Sequence, residues 1–164
     1  MILHTWCVVL ISTEAELEAF GEKEGRRAAL ATRGNRAQVF ALAGELGAGK
    51  TTFTRGFARG LGVVRRIASP TFVIARRYDV VGGRTFWHVD AYRLRGAEDL
   101  PTIDWEELVA DPNNVIVLEW ADRVREGVPD NSKWLEFIHH PQGREVTVGV
   151  KAKRRENQAN KRET

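Results

Sequence analysis

Gly44-Glu45-Leu46-Gly47-Ala48-Gly49-Lys50-Thr51-Thr52 is the stretch from which the fold of this chain can be read. It fits the phosphate-binding P-loop pattern G-x-x-x-x-G-K-[ST], with Gly44, Gly49, Lys50 and Thr51 at the fixed positions. Such a loop turns its backbone N–H groups inward on phosphate oxygens. Glycines are needed where a side chain would block that approach or forbid the backbone angles. Nucleotide binding is therefore expected at Gly47, Ala48, Gly49, Lys50, Thr51 and Thr52. Lys50 is expected on the β/γ-phosphates and the Thr51 hydroxyl on Mg²⁺. Four fixed positions match by chance in roughly one chain in a hundred of this length, so the flanks have to agree. They do. Gln38-Val39-Phe40-Ala41-Leu42-Ala43 is an apolar run of the kind found in a central parallel strand. After the loop, Phe53, Phe57 and Leu61, with Ala58 beside them, mark the buried face of a helix. Arg55 and Arg59 are read as pointing away, and Gly60 and Gly62 as the stop.

Upstream, Trp6 to Ile11 reads as a strand. Thr13 with Glu16 forms a capping box for a helix running toward Thr32, with Leu17 and Phe20 on one face and Gly21 and Gly25 counting against it. The single cysteine, Cys7, has no internal disulfide partner and is read as a small buried hydrophobe in a reducing compartment. The Trp6–Ile11 run is too short to span a bilayer and lacks signal-peptide flanks, which points to a cytoplasmic protein with no membrane association.

Downstream, Ser69-Pro70-Thr71-Phe72 is a stiff extended lead-in that holds two hydroxyls in place. It is read either as punctuation before a strand or, through Ser69 and Thr71, as a switch-like segment. Phe72–Val80 and Thr85–Ala91 read as strands joined by a two-residue turn at Gly82-Gly83, and such a hairpin after the P-loop helix predicts a mixed sheet. Period two puts His88 and Asp90 on one face of the second strand and Trp87 and Val89 on the other, one face packed and one polar. His88 is taken as a packed or hydrogen-bonded histidine rather than a ligand. Asp90, at the strand end, is the candidate for orienting an attacking water. Asp99 to Val109 contains a short helix with Trp105 and Leu108 buried. Val115 to Trp120 is an apolar strand with Glu119 at its carboxyl end, where ligands of open α/β sheets bind. Glu119 is thus the expected metal carboxylate beside Thr51, and Trp120 either packs or belongs to a partner surface. Trp134–His139 and Glu145–Val150 form a last strand pair around Pro141-Gln142-Gly143.

With 164 residues, residues 1–150 form one α/β P-loop NTPase-like domain, a mixed parallel/antiparallel sheet flanked by helices. Residues 151–164 form a basic tail without apolar periodicity, expected to be disordered. The net charge of +3 belongs to that tail. Its six basic and two acidic residues leave 19 basic against 20 acidic in the body, so composition gives little support to direct nucleic-acid binding.

Taken together, the loop Gly44–Thr52, Ser69-Pro70-Thr71-Phe72, His88-Val89-Asp90-Ala91-Tyr92-Arg93-Leu94 and Leu118-Glu119-Trp120 resemble, in order and spacing, the bacterial TsaE (YjeE) family over residues 10 to 140. That resemblance implies a Mg²⁺-dependent ATPase supporting threonylcarbamoyladenosine modification of tRNA at position 37. It implies TsaD and TsaB as partners and tRNA contact only through that complex. Lys50 and Thr51 match the phosphate and metal positions, Asp90 the acid of the His-x-Asp-x-Tyr-Arg segment, and Glu119-Trp120 the Glu-Trp pair. Glu45 stands where Asp is usual, and the basic tail has no counterpart. The residues themselves suggest Lys50, Asp90 and Glu119 as the catalytic set. None of Arg65, Arg66 and Arg93 stands out as an arginine finger, which predicts slow turnover until a partner completes the site. Four other readings remain open: a P-loop small-molecule kinase, a nucleotide-gated binding module without required hydrolysis, direct tRNA binding resting only on the basic tail, and a GTPase. The last is the weakest: Asp79-Val80-Val81-Gly82 mimics a D-x-x-G switch motif but falls in the expected hairpin turn, and there is no N-K-x-D to read guanine.

Overall fold

The computed structural model describes residues 6–68 and 74–150. Ser69 and Thr71, and the tail 151–164, lie outside the described residues. Seven strands form one sheet: β1 (Cys7–Ile11), β2 (Gln38–Gly44), β3 (Ala75–Val80), β4 (Arg84–Asp90), β5 (Asn114–Glu119), β6 (Lys133–His140) and β7 (Gly143–Val150). Their spatial order is β1-β7-β6-β2-β5-β4-β3. The centre is parallel, with β2 between β5 and β6, and β4 beside β5. The margins are antiparallel: β3 on β4, β7 on β6, and β1 on β7. The mixed sheet expected from the hairpin is present. Its turn has three residues, Val81 to Gly83, because Val80 pairs with Arg84 and both glycines take positive φ.

Two helices cover one face, α1 (Glu14–Leu30) and α2 (Lys50–Leu61). Thr13 caps α1, its hydroxyl accepting from the Glu16 N–H at 3.1 Å, while the Glu16 carboxylate accepts from the Ser12 N–H at 2.8 Å. Phe53, Phe57 and Leu61 are buried against Phe40, Leu42, Val115 and Val117 of the sheet, as their spacing predicts. The glycines of the two helices interlock. A Cβ at Gly21 or Gly25 would sit 2.2 or 2.0 Å from a carbonyl oxygen of α2, and one at Gly56 or Gly60 would sit 1.9 or 2.0 Å from one of α1. Gly21 and Gly25 thus favour α1 through packing rather than weakening it. Gly60 is interior to α2 and only Gly62, at φ 100°, ends it. Arg59 points away from the sheet as expected, and its exposed guanidinium reaches across to Glu18 and Glu22 of α1.

The other face is covered by 3₁₀ turns at Ala97–Ile103 and Ala121–Gly127 and by α3 (Trp105–Ala110). The short helix expected within Asp99–Val109 is α3, and Asp104, at left-handed angles (φ 53°), separates it from the 3₁₀ turn before it. Trp105 and Leu108 are buried there with Ile116, Leu118 and Trp134. At the β1 edge this face has no helical cover among the described residues, and Val8, Leu10 and Ile138 are exposed. Cys7 is exposed as well. The reading of it as a buried hydrophobe fails because β1 is an edge strand, whose burial depends on its place in the sheet and not on its composition.

Candidate functional site

The parallel strands β2, β4, β5 and β6 all end on the same edge of the sheet, and antiparallel β7 begins there. The P-loop turns from β2 into α2 at this edge. Gly44, Gly47 and Gly49 take φ of 142°, 75° and 104°, angles open to glycine and strained for other residues, and Gly49 is the N-cap of α2. The unpaired first N–H groups of α2 and the positive end of its dipole therefore face the loop.

Lys50 is 5% exposed, and its Nζ donates to the Gly44 and Glu45 carbonyls at 2.6 and 2.7 Å. It also lies 3.9 Å from the centre of the Trp120 ring. Burial lowers its pKa from the usual lysine value, against the opposing pull of Glu119, Asp122 and Asp90. Trp120 follows β5 with φ 58°, a left-handed conformation that costs a tryptophan roughly 1–3 kcal/mol. Half-buried, its ring meets Tyr92 at 5.1 Å and flanks the lysine. Packing and rim position are therefore both features of this one residue.

Glu119, at the end of β5, is 2% exposed and accepts three hydrogen bonds. Thr51 Oγ1 lies at 2.9 Å on one oxygen, and Thr54 Oγ1 at 3.0 Å and His88 Nε2 at 2.7 Å lie on the other. Burial pushes its pKa up, but the His88 and threonine donors together outweigh that and leave it below the usual carboxylate value. Since Glu119 only accepts, His88 carries its proton on Nε2. Its buried Nδ1 has no hydrogen-bond partner among the described residues. The face of β4 expected to be polar is thus buried under α2, with Phe86 and His88 both fully covered. Asp90 stands beside Glu119 in the parallel register of β4 and β5, is 5% exposed, and accepts from the Tyr92 N–H at 2.9 Å.

The fold brings Lys50, Thr51, Asp90, Glu119 and Trp120 together at one strand edge. Asp79 to Gly82 stays remote from them, in the β3–β4 hairpin. No group of three or more His, Cys, Asp or Glu side chains suited to a metal occurs among the described residues. Thr51 and Glu119 instead offer two oxygens, a set that suits Mg²⁺, which keeps waters and takes its remaining ligands from phosphates. The hollow over the loop is small, about 190 Å³, and is lined by Glu14, Leu46, Lys50, Thr51, Trp120 and Arg144, among others. Reading the sequence alone missed His88 as the holder of Glu119, and Arg144 altogether. The alternation that put His88 on the Asp90 face was the available signal for the first. No local signal marked the second.

The family model for threonylcarbamoyl adenosine biosynthesis protein TsaE matches residues 11–146. Among curated relatives, the tRNA threonylcarbamoyladenosine biosynthesis protein TsaE of Streptomyces coelicolor is 47% identical over 60% of this chain and 65% of its own length. That of Treponema pallidum is 40% identical over 67% of this chain and 80% of its own. For that of Bacillus subtilis the figures are 42%, 56% and 55%, so the match spans less than two thirds of the first and third relatives. Among solved structures, Bacillus subtilis YdiB superposes with a TM-score of 0.66 at 27% identity, covering 92% of this chain and 88% of that one. No helix among the described residues is long and apolar enough to cross a membrane.

Proposed function

The chain belongs to the TsaE family of threonylcarbamoyl adenosine biosynthesis proteins, and from that premise we propose that it binds and hydrolyses ATP with Mg²⁺ in support of threonylcarbamoyladenosine modification of tRNA. In this reading it acts in the cytoplasm with TsaD and TsaB as partners and meets tRNA only through them. The observation that carries the reading is the bond of 2.9 Å between Thr51 of the P-loop and Glu119 at the end of β5, with Asp90 on the adjoining strand. It joins the metal-holding hydroxyl and carboxylate of a P-loop hydrolase at one point.

Thr51 and Glu119 are the residues to hold Mg²⁺, which when bound neutralises phosphate charge. Lys50 is tethered to two loop carbonyls, so it exchanges those acceptors for phosphate oxygens and brings a positive charge to the γ-phosphate. The loop amides and the N-terminus of α2 bind the remaining oxygens without any proton transfer. Asp90, fixed by its bond from the Tyr92 N–H, orients the attacking water. His88 touches no substrate. It holds the Glu119 carboxylate in place, as outer partners of a metal site commonly do.

The test is ATP hydrolysis with and without TsaD and TsaB from the same organism, alongside Lys50→Ala. Stimulation by the partners that is abolished by the substitution is expected. Bound ATP with equally low turnover in both settings would favour a nucleotide-gated binding module, and a preference for GTP would overturn the assignment to ATP.

A further inference from the structure

β1 pairs with β7 alone, and its outer edge takes no backbone hydrogen bond from any described residue. The two margins of the sheet differ in chemistry. β3, at the far margin, carries Arg76, Arg77 and Asp79 exposed, the kind of charge by which edge strands resist pairing with another chain. Cys7-Val8-Val9-Leu10-Ile11 has no charge and no proline, and it pairs in unbroken step with Val148 to Arg144, so no bulge twists it away. Val8 is 60% exposed and Leu10 48%, both on the face opposite α1 and α2, since Val9 and Ile11 pack on the helical side. Exposed Ile138 lies on the same face, separated from Leu10 by Glu145 in the register of the three strands.

Three of the chain's own segments lie outside the described residues, and none suits this edge. Residues 69–73 join Ala68 to Ile74 beside β3, at the opposite margin. The tail 151–164 holds six basic side chains and no apolar residue larger than alanine, so it cannot take Val8 and Leu10 out of water. Residues 1–5 lead into β1 and are too few for a turn and a strand to match it. The strand is, however, complementary to itself. About a two-fold axis at Val9, antiparallel pairing sets Val9 against its own copy, Val8 against Leu10 and Cys7 against Ile11. No charge meets a like charge, and such an isologous contact closes at two chains.

We propose that β1 is a self-association edge, on which a second copy of this chain pairs antiparallel through Cys7–Ile11 and joins two seven-stranded sheets into one. The contact gives the outer N–H and C=O groups of β1 partners and removes apolar surface from water. Ile11 ends β1 beside Arg144, at the edge of the sheet that carries the P-loop. Antiparallel pairing therefore turns the two P-loops to opposite ends of the joined sheet and leaves both open. The inference does not depend on what the P-loop binds.

Sedimentation equilibrium of the full chain over a range of concentrations, at low and raised salt, tests it. The proteins compared are the unaltered chain, the double variant Val8→Lys with Leu10→Lys, and Val81→Lys, at an exposed residue of the other margin. Thermal melts check that each is folded. A monomer–dimer equilibrium that raised salt does not weaken is expected, because the edge carries no charge. The double variant sets ammonium groups opposite one another across the axis, and its dimer Kd is expected to rise roughly tenfold or more. Val81→Lys should leave the dimer as it is. A monomer at every concentration overturns the proposal and leaves the edge to a strand of another protein. So does a dimer that salt dissolves, that survives the double substitution intact, or that Val81→Lys disrupts as strongly. If the double variant does not fold, oxidative cross-linking decides. Val9→Cys in a Cys7→Ser background is expected to form a disulfide-linked dimer, since directly opposed residues of paired strands lie within disulfide reach. Cys7 of the unaltered chain, facing Ile11, should not. Failure of the Val9 variant to link, or equal linking through Cys7, overturns the pairing.

Discussion

Glu119, 2% exposed, carries three donors on two oxygens, and two of them, Thr54 and His88, hold it from the buried side where no substrate reaches. Removing a donor from a buried carboxylate costs the bond and leaves charge undersolvated. His88→Ala is therefore expected to lower stability by about 2 kcal/mol in urea unfolding. His88→Gln, which keeps an N–H, should recover part of it. A loss under about 0.5 kcal/mol would mean that Glu119 does not lean on the imidazole. Period two placed His88 and Asp90 on one face, but alternation alone does not say that this face lies under α2. Cys7 carries the opposite lesson. Its apolar neighbours suggested burial, whereas on the edge strand it is open to solvent. The native protein should thus react with a thiol reagent at close to the rate of the unfolded chain. Protection of a hundredfold or more would contradict the exposed position.

The contact between α1 and α2 inverts a common rule for helices. Glycine to alanine in an exposed helix interior gains about 1 kcal/mol, yet the Cβ of Gly25→Ala or Gly56→Ala would meet a backbone oxygen of the facing helix at 2.0 or 1.9 Å. Both substitutions are expected to destabilise by about 1–3 kcal/mol in thermal or urea unfolding, since the helices must part to admit the methyl group. A gain in stability would mean that the pair separates freely. The spacing of Gly21 and Gly25, and of Gly56 and Gly60, was visible in the sequence. Its meaning was not, because only the facing helix makes the glycines necessary. The left-handed angles of Asp104 ahead of α3 were hidden for a similar reason: they accompany the packing of Leu100 and Trp105 in one cluster, which joins separate elements.

Across the whole molecule, nucleotide binding should register as added stability. At a ligand concentration a hundred times the Kd, one site contributes about 2.7 kcal/mol, a rise of several degrees in melting temperature for a chain of this size. ATP with Mg²⁺ is expected to produce that rise, chelation of the metal to reduce it, and Lys50→Ala to remove it. An equal rise in the Lys50→Ala protein would place the ligand away from the P-loop. Because Lys50 satisfies itself on the Gly44 and Glu45 carbonyls, binding first breaks two bonds within the protein, and the measured affinity is lower than the final contacts alone would give.

The sequence by itself determined the P-loop, the capped helix before it, the buried face of the helix after it, and the mixed sheet. Each of these is dictated by short-range sterics, hydrogen bonding and a 2.0 or 3.6 periodicity, all of which can be read within a few residues. Tertiary structure alone decided that Cys7 is exposed, that His88 holds Glu119, that four glycines interlock and that Arg144 lines the hollow over the P-loop. Those facts follow from strand order, register and the facing of helices, which join residues far apart in the chain and which no local pattern encodes.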